Sequence, residues 1–131
     1  MIERDTKMES KVYPHLKKPF GAFCHAVRAN GFLFLSGFTA SETPAEDGDI
    51  VEQTESTLDQ MKSLLEAEGM SLKDVVRVTV YVTELDRLMD IHSVRFRYFG
   101  ENLPASTLVQ VTSLVRPKCK IEIEAIAAIP S

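Results

Sequence analysis

The stretch Lys120–Ile129, KIEIEAIAAI, alternates in a way that only a β-strand uses. Ile121, Ile123, Ala125, Ala127 and Ile129 fall on one face, whereas Glu122, Glu124, Ile126 and Ala128 share the other. One face is uniformly apolar and the other half polar, so the strand lies in a sheet whose second face is only partly solvated. Upstream, Val75–Thr83, VVRVTVYVT, repeats the pattern. Its alternation sets Val76, Val78, Val80 and Val82 opposite Arg77, Thr79 and Tyr81. A further strand is expected over Ser106–Leu114.

Two helices separate these strands. Val51, Leu58, Met61, Leu64 and Leu65 recur at helical spacing behind Asp49, a residue suited to an N-cap, and Gly69 ends the run after Glu68. A second helix is expected from Asp86 to Phe99, stopped by Gly100. Toward the N-terminus, Ala22–Ala29 and Phe32–Thr39 read as a hairpin joined by Asn30-Gly31, a pair that accepts positive φ. Ser41–Asp49 is a loop by composition, and residues 1–21 form an irregular lead-in with one short strand near Val12. The order β-β-α-β-α-β-β specifies an α+β fold, a mixed sheet with both helices covering one face. The other face would expose a mixed apolar surface in a monomer, which points to oligomerisation.

A length of 131 residues suits one domain over 1–131, which buries roughly two-thirds of its unfolded surface without staples. The net charge of -4 argues against a general nucleic-acid binder, whose affinity comes from neutralising phosphates. No apolar run is long enough to span a bilayer. The N-terminal MIERDTKMES lacks the apolar centre of a signal peptide, so a cytoplasmic protein with no membrane partner is expected. Cys24 and Cys119 have no CxxC spacing, and His15, His25 and His92 have no metal-ligand spacing. Neither a Walker loop nor GxGxxG occurs. No metal or cofactor is therefore expected.

Four segments in order, NGFLFLSG, VVRVTVYVTEL, LPASTLVQV and KIEIEAIAAI, resemble the Rid/YjgF family over about Ala22 to Ile129. The resemblance implies a chorismate-mutase-like fold and a homotrimer whose three sheets form a central barrel, with small-molecule clefts between subunits. Archetypal members hydrolyse enamines and imines to 2-oxo acids and ammonia, holding the substrate carboxylate with an arginine in Pro-Ala-Arg-Ser/Thr. Here Ser106 occupies that position, in Pro104-Ala105-Ser106-Thr107. A serine offers no bidentate fork and no charge. A charge-assisted hydrogen bond contributes about 1.5–3 kcal/mol, so carboxylate binding at that position weakens about ten- to a hundredfold or more.

By the same resemblance, Ser36 and Gly37 line the cleft, and Glu122 positions or activates the hydrolytic water, with Ser36 assisting. Phe23 keeps the ring of a pocket tyrosine without its hydroxyl, and His92 stands where asparagine is common. These give Gly37, Phe23, Ser106 and His92 as substrate-binding candidates beside Glu122 and Ser36. For His92, beside Leu88, Met89 and Phe96, a core or interface histidine competes with a titratable group entering the cleft. His25 alternates with Phe23 toward the same cleft, and Cys24 is either a nucleophile or a buried structural thiol. Arg95 and Arg97 form a solvated face of the second helix, or one of them replaces the lost clamp from another direction. Three functions fit: a hydrolytic deaminase of a small imino or amino compound (2-aminomuconate deaminase is one such relative), a metabolite-binding or regulatory trimer, and a ribonuclease, ranked last on charge.

Overall fold

A computed structural model describes residues 8–131, and the part of the lead-in on residues 1–7 lies outside them. The chain forms β1 (Met8–Lys11), β2 (Ala26–Ala29), β3 (Phe32–Phe38), α1 (Ile50–Ala67), a 3-10 turn (Leu72–Asp74), β4 (Val75–Val82), α2 (Leu88–Phe99), β5 (Ala105–Gln110) and β6 (Ile121–Ala128). One sheet orders them β1-β2-β3-β6-β4-β5, antiparallel except for the β4–β5 pair. The short N-terminal strand expected near Val12 is β1, an added edge paired with β2.

The expected turn forms at Asn30 and Gly31, with φ of 50° and 82°. Asp49 caps α1 through a reciprocal capping box with Glu52, and Gly69 takes φ 71° just beyond the helix. Both helices bury their apolar stripes with Leu33, Leu35, Val78, Val80, Val82, Ile121 and Ile123 in one core. The opposite face carries Phe32 and Phe34, about two-fifths exposed, paired with Ala128 and Ile126.

Three expectations are corrected. Residues 22–25 are not strand; the hairpin arm is only Ala26–Ala29. β5 ends at Gln110 instead of Leu114, where the chain leaves β4 through a loop. In β4 a bulge between Val75 and Arg77 sends Val75 into the core and leaves Val76 43% exposed, which resets the alternation by one residue.

Gln53 ties these pieces together from inside α1. Fully buried, its amide donates to the carbonyls of Glu46 and Lys118 at 3.0 and 2.9 Å, and its oxygen accepts from the Lys120 N–H at 2.7 Å. Lys120, just ahead of β6 and two residues before Glu122, is thereby fixed to the helix. Replacing Gln53 with Leu strands two carbonyls and one amide. The expected loss is about 2–4 kcal/mol in urea denaturation, with the slope of the transition unchanged.

Candidate functional site

β3 and β6 lose register between Leu35 and Phe38, so Ser36 and Gly37 bulge opposite the strand that carries Glu122. The missing side chain at Gly37 is required there. A Cβ would overlap the Glu122 carboxylate, which packs directly over the Gly37 backbone. Burial, then the charge of Glu124, raises the pKa of Glu122, and the Lys17 ammonium draws it partly back. Lys17 is itself half-buried, donates to the Ser41 carbonyl, and has its pKa lowered by desolvation. The Ser36 hydroxyl donates to the Cys24 carbonyl at 2.6 Å. With its proton so committed, Ser36 can accept a hydrogen bond from a ligand N–H but not also donate one. Phe23 is 44% exposed and meets Phe20 edge-on at 5.5 Å, forming an apolar lip beside Cys24.

A second group of residues lies at the β5 edge of the sheet. His92, Arg95 and Phe96 from α2, with Leu103, Pro104 and Ser106 from the chain entering β5, line a cavity of about 220 Å³. Arg95 donates to the Ser106 hydroxyl at 2.6 Å, and burial lowers its pKa. Arg97 is differently placed: it pairs with Glu55 at 2.6 Å and lies against the Tyr98 ring. Of the two arginines, only Arg95 reaches the position where the motif arginine is missing.

Register places these groups on opposite faces. Glu122 pairs with Tyr81, on the open face, whereas Ser106 pairs with Val78, on the helix-covered face. One chain therefore cannot bring Glu122 and Ser106 to the same molecule.

Two candidates leave the site. His25 is buried, its Nδ1 accepting from the Tyr13 N–H at 2.9 Å and its Nε2 bonded to the Lys17 carbonyl at 2.8 Å. It stacks between Tyr13 and Phe38 and holds the lead-in segment in place. Cys24 is half-buried, with its thiol directed to the Ala26 carbonyl at 3.3 Å, and Cys119 is buried; both are free. His92 is half-buried beside Met89 and Phe96, which are 73% and 59% exposed, so it belongs to an uncovered face and not to the core. Lys17 and Phe20 escaped sequence reasoning because nothing in an aperiodic segment signals its neighbours.

The Endoribonuclease L-PSP family model, which is that of the YjgF/Rid proteins, matches residues 15–129. The chain belongs to the Rid/YjgF family. It is 40% identical over 113 residues to a RutC family protein of Pyrococcus horikoshii, covering 84% of this chain and 89% of that one. A Thermotoga maritima structure superposes with a TM-score of 0.79 at 40% identity, covering 87% of this chain and 91% of that one. The Escherichia coli YjgF structure gives 0.81 at 27% identity, covering 92% and 98%. The fold is the chorismate-mutase-like one of these Rid neighbours. Among the described residues no helix is long and apolar enough to cross a membrane.

The fit of Glu122 over Gly37 is directly testable. Gly37→Ala should destabilise the protein by about 1–3 kcal/mol in thermal unfolding. The double variant with Glu122→Ala should recover most of that loss, because the clash has a single partner.

Proposed function

We propose that the protein is a hydrolytic deaminase of small imines or enamines, working as a homotrimer whose clefts join the Glu122 region of one subunit to the Ser106 region of the next. The observation that carries this reading is the Glu122 carboxylate, desolvated over Gly37 and on the opposite sheet face from Ser106. A second copy is the simplest way to complete such a site. The half-exposed Phe32 and Phe34, with Ile126 and Ala128, supply apolar surface for that copy to cover.

In the proposed reaction Glu122 takes a proton from water as the oxygen adds to the C=N carbon, giving a carbinolamine. That proton passes to nitrogen, the hydroxyl proton follows it by way of the Glu122 carboxylate, the C–N bond breaks, and ammonia and a carbonyl compound leave. An enamine first tautomerises to the imine. Ser36, able only to accept, suits the N–H of the imine, and Gly37 makes room for the Glu122 carboxylate beside it. Phe20 and Phe23 exclude water from one wall. Burial raises the carboxylate pKa, which makes the ionised group a stronger base. A trimer that holds a metabolite without turnover would use the same cleft.

The test is the rate at which 2-imino acids, generated in situ by an amino-acid oxidase, lose ammonia. The parent protein should accelerate it, and Glu122→Gln should lower the acceleration by about a hundredfold or more. The acid limb of the rate profile should lie above the ordinary glutamate range, since the base must be deprotonated and its pKa is raised. Stability moves the other way. A carboxylate with a raised folded pKa destabilises the fold as pH rises through its unfolded and then its folded pKa. Glu122→Gln should therefore match or exceed the parent's Tm at pH 7, and the difference should vanish below about pH 4. Equal ammonia release by parent and variant would overturn the hydrolytic reading and leave the binding one.

A further inference from the structure

We propose that Arg95, Ser106, His92 and the apolar wall of Phe96 and Leu103 form a receptor for a monoanionic carboxylate with an apolar tail, the cation having moved from strand to helix. The inference deepens the cleft reading above by naming the substrate class, but the receptor itself lies within one chain.

Charge pairing on α2 singles out the cation. Arg87 is held by Asp90 and Asp49, and Arg97 by Glu55. Among the described residues Arg95 has no acidic partner, and its one side-chain hydrogen bond is to Ser106. A guanidinium carries five N–H donors in a planar fork, so most of this one's capacity is unused. It is also half-buried among apolar groups, where an unpaired cation is costly and an incoming anion correspondingly favoured.

The walls define the rest of the ligand. Phe96, Phe99, Leu103 and Pro104 offer carbon, and Phe96 and Leu103 are each more than half exposed without a ligand. A single permanent cation with one hydroxyl matches the fork geometry and charge of one carboxylate; apart from His92, no further basic side chain lines the cavity for a phosphate dianion. Ser106 is short enough to leave the cavity open while orienting the arginine. An arginine at 106 would fill the space and set two like charges together.

Titration of the intact protein with 4-methyl-2-oxopentanoate, followed by calorimetry, tests this directly. Arg95→Gln should weaken binding about ten- to a hundredfold. Arg95→Lys, which keeps the charge but not the fork, should fall between, and Arg97→Gln should bind as the parent does. The neutral ketone 4-methyl-2-pentanone should bind parent and Arg95→Gln alike, and inorganic phosphate should not compete. Unchanged affinity in both Arg95 variants, or competition by phosphate as strong as by the oxo acid, would overturn the proposal. The same titration in the Glu122→Gln background keeps the two readings apart. Arg95-dependent binding without ammonia release in the parent retains the receptor and removes the deaminase. Ammonia release from the imine of leucine with KM unchanged in Arg95→Gln does the reverse.

Discussion

Glu122 and Ser106 stand two strands apart on opposite faces of one sheet, and the register of β4 with both neighbours holds them there. Tyr81 fixes the face of Glu122 and Val78 that of Ser106; a slip of one residue in either ladder would exchange core for surface along a whole strand. Because Val78, Val80 and Val82 are buried under the helices, no such slip is tolerable. The position of the candidate chemistry is thus a by-product of core packing. The valines that stabilise the sheet also decide that its two chemically distinctive ends never meet within a chain.

Each face keeps an unbalanced charge in an environment that resists it. On the open face Glu122 is desolvated and beside a like charge, with Lys17 as partial compensation. On the helix-covered face Arg95 is desolvated with a hydroxyl as its only side-chain hydrogen-bond partner among the described residues. Neither arrangement favours stability, since a buried charge without a full partner costs free energy that hydrophobic burial elsewhere must offset. Opposite unbalanced charges on the two faces of one sheet suit the assembly proposed above. Perturbed groups of this kind concentrate where chemistry occurs.

Much of this was legible in the sequence, for reasons that can be named. Period-two alternation at Ile121–Ala128 and the Asn30-Gly31 turn are local signals, set by pleat geometry and by φ, and they read correctly. The β4 bulge did not, because an extra residue in a ladder is invisible until the partner strand is known; Val76 was accordingly assigned to the core face that Val75 occupies. His25 alternates with Phe23 on paper, but residues 22–25 are not strand, so alternation carries no meaning there. The contact of Arg95 with Ser106 spans a helix and a strand, and spacing alone could not choose between Arg95 and Arg97. What separated them was Glu55, far off in sequence on α1, which occupies one arginine and leaves the other free.

Moving a cation from strand to helix changes more than its address. A strand arginine at 106 would project from the edge of the sheet and fill the space that the cavity now occupies. From α2, Arg95 reaches Ser106 across the cavity that Leu103 and Phe96 also line. A carboxylate held this way must bring its tail along the apolar wall, so the exchange trades tight capture of a small polar acid for room to accept a larger apolar one. Phe23, with a ring and no hydroxyl, works in the same direction, since it leaves no polar group for a bulky apolar substrate to strand. On the proposed reading, Ser106 and Phe23 share one physical sense, toward fewer polar demands on the substrate and more buried carbon, beside the Glu122, Gly37 and Ser36 group.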